Sequence, residues 1–222
     1  MSEKKNNIEL VMIIDRSGSM AGMESDTIGG INAVLERHRA LDNRTTVSTV
    51  LFDDRTEVLH DRLPLTEVAS LTSDDYYVRG CTALLDAVGG SIHHIERVQR
   101  YMPDEYKADK VIFVITTDGL ENASKRYSYS QVKRSIEQKQ ELGWEFLFLG
   151  ANIDAAAEAS RMGIAPDRAA TYIADEVGNH VMYDAVADAT CKMSAQPASR
   201  IGGAWSGSIE RDRKRRFGCK RH

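Results

Sequence analysis

The sequence predicts an α/β protein built on an open, doubly wound, mostly parallel sheet with helices on both faces. Three observations predict it. Short apolar, β-branched-rich runs alternate along the chain with segments of helical period. The run from Val111 to Thr117 is almost wholly apolar, as expected of a parallel strand covered on both sides. One connection, Asp53-Asp54-Arg55, is short and polar enough for a hairpin, which adds a single antiparallel edge pair.

Taken in order, Ile8 to Ile14 reads as a buried strand. Thr27 to Leu41 spaces Ile28, Ile31, Val34, Leu35 and His38 as one face of a helix. Thr45 to Phe52 and Thr56 to Leu63 form the hairpin, and the Ser/Thr/Asp-rich stretch 66–81 reads as loop. Ala83 to Tyr101 is a helix with Leu84, Leu85, Val88, Ile92, Ile95 and Val98 along one side, weakened locally by Gly89 and Gly90. After the strand Val111 to Thr117, a helix over Ser128 to Leu142 stops at Gly143, and Trp144 to Leu149 is a fifth strand. Asp154 caps a helix running to Met162, Ala169 to Ala174 is the last strand, and a final helix covers 175–195. Six strands with intervening helices imply right-handed crossovers, and such sheets place ligands at the carboxyl ends of their strands.

The chain has 222 residues with 42% hydrophobic and 28% charged, which excludes global disorder and leaves room for a sizeable core. Its longest apolar runs, Leu10 to Ile14 and Val111 to Ile115, are far too short to span a bilayer, so no membrane role is expected. Met1 to Asn7 lacks the features of a signal peptide, and three widely spaced cysteines, Cys81, Cys191 and Cys219, suit free thiols. Residence in the cytoplasm is the expectation. The net charge of −4 is uneven: residues 198–222 carry eight basic and two acidic groups, net +6, which leaves −10 on residues 1–197. Periodicity fades beyond Pro197, so the chain divides into a domain at 1–197, with its core at 8–174, and a basic, flexible tail at 198–222.

Two strand ends carry chemistry. The first strand runs into Asp15-Arg16-Ser17-Gly18-Ser19 and the central one into Asp118-Gly119. Spacing by two can turn Asp15, Ser17 and Ser19 to one side. With Asp118 they form an all-oxygen set suited to a hard divalent cation, Mg²⁺ or Mn²⁺. Gly80-Cys81-Thr82 brings a further hydroxyl, Thr82, to the loop entering the second long helix.

In this order, the DxSxS at 15–19, the Gly-x-Thr at 80–82 and the Thr-Asp-Gly at 117–119 resemble the metal-ion-dependent adhesion site (MIDAS) of von Willebrand factor type A domains. The resemblance covers roughly 8–174. The segments Asp118 to Asn122 and Phe148 to Asn152 look most like the stand-alone type A proteins of bacteria and their phages. It implies a Rossmann-like sheet of order 3-2-1-4-5-6. It also implies that Asp15, Ser17, Ser19, Thr82 and Asp118 surround one Mg²⁺, with Asp15 and Asp118 acting through bridging waters. Such a site leaves room for an outside ligand, in that family commonly an Asp or Glu carboxylate of a protein partner. The function implied is metal-dependent protein binding of the adhesion or adaptor type, without catalysis.

Two other classes stand beside that reading. One is a metal-assisted phosphate-ester hydrolase, disfavoured because Ser17 stands where an aspartyl-nucleophile phosphatase would have its second Asp. The other is a structural adaptor with a vestigial metal site. Asp53 and Asp54 read either as support for the metal site or, preferably, as turn formers. His93 and His94 read as surface or packing residues, since neighbours on a helix diverge. Cys81 reads as a small buried thiol. The basic tail is either a solvated terminus, which is favoured, a weak nucleic-acid contact, or a segment attracted to the acidic body.

Overall fold

The computed structural model of the chain describes residues 6–195 and 203–218. Strands β1 (Asn7–Asp15), β2 (Arg44–Phe52), β3 (Thr56–Pro64), β4 (Lys110–Thr117), β5 (Glu145–Ala151) and β6 (Ala169–Tyr172) form one sheet of order β3-β2-β1-β4-β5-β6. Every neighbouring pair is parallel except β2 and β3. This is the topology expected from the sequence.

Helices α1 (Glu24–Arg39), α2 (Leu84–Tyr101), α3 (Tyr129–Glu141), α4 (Ala155–Arg161) and α5 (Glu176–Ala195) cover the sheet. Side chains alternate along a strand, so β1 feeds two cores at once. Leu10, Met12 and Ile14 join Ile31 and Leu35 of α1 and Met182 and Val186 of α5. Val11 and Ile13 join Leu85, Val88 and Ile92 of α2 and Val132 and Ile136 of α3 on the other face. Glu9 interrupts this apolar strand, fully buried, and Arg62 Nε donates to it at 2.6 Å. Burial pushes the Glu9 carboxyl up and the Arg62 charge opposes that rise.

Local signals act where the sequence places them. Ser128 and Gln131 close a capping box on α3, and the Asp154 carboxylate accepts the Ala157 N–H at 3.0 Å to start α4. His93 and His94 are both exposed. Cys81 departs from its expected burial and is exposed, because its loop lies at the rim of the sheet.

The basic segment differs from the flexible tail expected at 198–222. Residues 203–206 form a 3-10 turn leading into helix α6 (Gly207–Gly218), which packs on α5 and β6. Trp205 and Ile209 are buried in the α1/α5 core, and Trp205 Nε1 donates to the Asp167 carbonyl at 2.8 Å. Asp212 is buried and receives Arg215 and Arg216, while Arg216 also reaches Asp175 at 2.5 Å. Two apolar anchors four residues apart and internal ion pairing hold a helix that its charge density hides. The parts of the expected tail at 198–202 and 219–222, with Cys219, Lys220 and Arg221, lie outside the described residues. Among the described residues, no helix is long and apolar enough to cross a membrane.

His38, at the end of α1, is buried, and its Nε2 lies 2.9 Å from Thr190 Oγ1 of α5. The Thr190 hydroxyl donates to the Val186 carbonyl at 2.9 Å, so the ring Nε2 is the donor to Thr190; with Nδ1 buried and without a hydrogen-bond partner among the described residues, the ring is held neutral. Burial lowers its pKa from 6.5 to about 4. A lowered folded-state value means that the unfolded chain takes up the proton first as pH falls. Stability from His38 is therefore full above pH 6.5 and is lost progressively toward pH 4. We expect urea unfolding to show about 2–3 kcal/mol less stability at pH 4.5 than at pH 7 from this group alone. His38→Gln should lose that component, so the difference between the two proteins should shrink as pH falls.

Candidate functional site

β1 and β4 are adjacent and parallel, with Ile14 abreast of Thr116, so their carboxyl ends deliver Asp15, Thr117 and Asp118 to the same place. Asp15 is fully buried. Its Oδ1 accepts the Ser17 N–H at 2.7 Å and its Oδ2 accepts the Thr117 hydroxyl at 2.6 Å. Its carbonyl accepts the Tyr76 hydroxyl at 2.6 Å. Ser19 Oγ donates to Asp118 Oδ1 at 2.6 Å, and Ser17 Oγ stands 3.1 Å from Ser19 Oγ. Ser19 has one proton and gives it to Asp118, so Ser17 is the donor of that pair.

Thr82 joins from the loop before α2. A Cβ on Gly119 would stand 3.2 Å from Thr82 Oγ1 and 3.7 Å from Ser19 Oγ, so the absent side chain lets the two hydroxyls flank the Asp118-Gly119 turn. All five residues expected from the sequence thus converge: Asp15, Ser17, Ser19 and Asp118 through hydrogen bonds, and Thr82 across Gly119. Ser17, Thr82 and Asp118 are nearly buried, whereas Ser19 is exposed and opens the cluster to solvent.

Burial raises the Asp15 carboxyl against its hydrogen bonds from Thr117 and Ser17, and the Asp118 charge raises it further. Burial also raises Asp118, opposed by Ser19. Two desolvated carboxylates facing each other favour a bound positive charge. Among the described residues, no group of three or more His, Cys, Asp or Glu is placed to hold a metal ion. A cation here must therefore use hydroxyls, and a set of five oxygens without nitrogen or sulfur fits a hard dication.

The loops carrying these residues are braced around Asp53, read from the sequence as a turn former or a support, by Arg16, Arg79 and Glu57, which the sequence reading did not single out. Arg16, between Asp15 and Ser17, is completely buried. Its Nε donates to Asp53 Oδ2 at 2.8 Å, and its Nη2 forms an ion pair with Glu57 at 2.7 Å whose angles are not those of a hydrogen bond. Arg79 Nε donates to the same Asp53 oxygen at 2.8 Å, and both guanidinium groups lie 5.3 Å from the Tyr77 ring centre. Burial pushes the Asp53 carboxyl up, but hydrogen bonds from Arg79, the Arg55 amide and Arg16 outweigh it and hold the group below its ordinary value. Asp53 is therefore both turn former and brace, and its carbonyl also accepts the Ala83 N–H at 2.8 Å. Gly80 completes the join: its φ is +70°, and any Cβ would meet Asp54 Oδ1 at 2.7 Å.

No protein-family model matches the chain, and no curated protein matches it. Solved structures do. The pilus adhesin SpaC of Lactobacillus rhamnosus GG aligns with 87% of this chain and 30% of its own length, at 12% identity and a TM-score of 0.63. The vWF domain of the type V pili tip protein Mfa5 from Porphyromonas gingivalis aligns over 88% of this chain and 98% of its own, at 10% identity and a TM-score of 0.60. Proximal thread matrix protein 1 of the mussel byssus, in a structure with a zinc-occupied MIDAS motif, aligns over 84% at 15% identity with a TM-score of 0.56. The chain spans about half the length of that mussel protein, 46%. These likenesses show a von Willebrand type A fold.

The Arg16–Asp53 brace gives a direct expectation. Asp53→Ala should leave the Arg16 charge buried without its main partner and cost about 3–5 kcal/mol in urea unfolding, far more than Asp54→Ala at the exposed turn.

Proposed function

We propose that the chain is a divalent-cation-dependent protein-binding module, of the adhesion or adaptor type, that takes hold of an acidic group on a partner without breaking bonds. The observation that carries this reading is the single hydrogen-bonded cluster linking Asp15, Ser17, Ser19 and Asp118, with Thr82 beside it. Mg²⁺ is the proposed occupant, with Mn²⁺ as a substitute, held by these five residues. The ion supplies a positive charge that the all-oxygen set holds and that an incoming Asp or Glu carboxylate can bind.

The chain's own residues do the remaining work. Thr117 and the Ser17 amide orient Asp15, and Tyr76 fixes the backbone beneath it. The Ser19 hydroxyl turns toward Asp118 and marks the open side where a partner approaches. Leu120 and Tyr77, both well exposed on loops flanking the cluster, offer apolar contact beside the acidic group. The zinc-occupied MIDAS of the mussel protein lends support from a protein of the same fold. The proposed setting is the cytoplasm.

Calorimetric titration of Mg²⁺ into metal-free protein tests the reading. Saturable binding at millimolar metal or tighter is expected, abolished in Asp118→Ala. An absence of binding, or equal binding by Asp15→Ala, sinks it. Partner capture should be lost in EDTA and survive high salt, because a short metal–carboxylate contact is screened far less than charges separated by a Debye length.

A further inference from the structure

The loop that leaves Asp118 doubles back and takes hold of the start of α2. The Thr82 N–H donates to Asn122 Oδ1 at 2.9 Å. The Thr82 carbonyl accepts the N–H groups of Asn122 at 3.0 Å and Ala123 at 3.2 Å. Asn122 thus grips the Thr82 peptide from both sides, although its own side chain is exposed.

Next to it, Glu121 supplies what the helix lacks. Ala83 is the N-cap of α2 and has no side-chain acceptor. Glu121 Oε2 accepts the Leu85 N–H at 2.9 Å, and Ser124 Oγ accepts the Asp86 N–H at 3.0 Å. The same carboxylate holds its own loop through the amides of Ala123 and Ser124 at 2.9 and 2.7 Å. Asp86 answers from the helix by accepting the N–H groups of Lys125, Arg126 and Tyr127 at 2.8–2.9 Å. The loop that carries Asp118 and the turn that carries Thr82 are therefore one rigid piece, capped reciprocally.

From this we infer that Asn122 is a positioning residue that fixes Thr82 against Asp118 and so makes the site select Mg²⁺ over the larger Ca²⁺. The inference rests on the metal reading above. Mg²⁺ demands short bonds in near-octahedral geometry, whereas Ca²⁺ tolerates longer bonds and irregular coordination. A site whose loops cannot separate excludes the larger ion; losing the Asn122 side chain frees the Thr82 N–H, and although the other bonds between the loops remain, the turn gains enough play at Thr82 to weaken that preference. Asn122 never touches the ion itself, and it acts only through the peptide that bears the Thr82 hydroxyl.

Titration of Mg²⁺ and of Ca²⁺ into metal-free wild type, Asn122→Ala and Asn122→Asp tests this, with thermal melting of each protein in EDTA alongside. Asn122→Ala should lose about tenfold in Mg²⁺ affinity, the scale of a lost supporting partner, with Ca²⁺ affinity little changed. Asn122→Asp keeps the acceptor for the Thr82 N–H, and its added charge acts on both dications alike, so its ratio of the two affinities should return to the wild-type value. Melting in EDTA should fall only slightly in Asn122→Ala, by the loss of one part-buried hydrogen bond, and be nearly the same for wild type and Asn122→Asp. Wild-type binding with an unchanged ratio in Asn122→Ala overturns the inference alone. A fall in melting temperature with both affinities lowered equally assigns Asn122 a folding role and also overturns it. Failure of the wild type to bind either ion removes the metal reading and this inference with it.

Discussion

Two carboxylates lie buried at the ends of adjacent parallel strands, and the cost of taking them out of water, more than their mutual repulsion, is what much of the surrounding structure answers. Asp15 and Asp118 owe their closeness to the β1–β4 register, which the sheet core sets without regard to charge. In a low-dielectric setting such a pair is costly unless hydrogen-bonded or neutralised. Thr117, the Ser17 amide and Ser19 provide the hydrogen bonds. They do not cancel the charge, since burial leaves both carboxyls raised. The fold therefore leaves a desolvated pair of carboxyls, hydrogen-bonded but uncompensated by a cationic side chain among their hydrogen-bond partners, at one edge of the sheet.

Holding that pair in place requires loops that do not relax away from each other, and the two sides solve this differently. Toward β2 and β3 the brace is ionic: the Asp53 carboxylate takes both Arg16 and Arg79, and Arg16 has no solvent to fall back on. Toward α2 the brace is largely made of amides, with Glu121 and Asp86 as acceptors for backbone N–H groups. Amide bonds have narrow geometry and are little screened by salt, so the α2 side is where small displacements are best resisted. The ionic side has a fully buried centre, the Arg16–Asp53 pair, and carries the exposed Tyr77 and Arg79 at its rim.

The strands were legible because burial on both faces demands unbroken apolar runs, and the hairpin because a short polar link allows little else. The five residues were legible because strand ends of an open sheet are where such chemistry gathers, and four of them fell at two such ends, with Thr82 joining from the loop entering α2. Arg16 was not legible. Hydropathy assigns an arginine to the surface, and its burial depends on Asp53 and Glu57, which are far along the chain. Asn122 and Glu121 stood in a motif that could be read, but their bonds to Thr82 and Leu85 exist only once two loops meet. Helix α6 escaped because Ile209 is its buried apolar anchor and Trp205 sits in the turn before it, so a helical period carried by so few positions is lost among charges.

That helix also changes the meaning of the uneven charge. A free +6 tail could sweep the solution for acidic partners, whereas the segment 203–218 is pinned beside β6. Arg216 is spent on Asp212 and on Asp175, the latter a body residue in the loop leaving β6 at the carboxyl edge of the sheet. Arg215 also faces Asp212. Part of the positive charge is thus consumed in folding, which weakens the case for a nucleic-acid contact and favours attraction to the chain's own acidic body. An acidic ligand of the kind proposed would approach a chain whose −10 body is only partly offset by its basic segment, to a net −4, so long-range steering does not favour it. On the proposed reading, capture would come from contacts of a few ångströms at the clustered oxygens. Selectivity by geometry, and not by bulk charge, is what two braced loops are suited to provide.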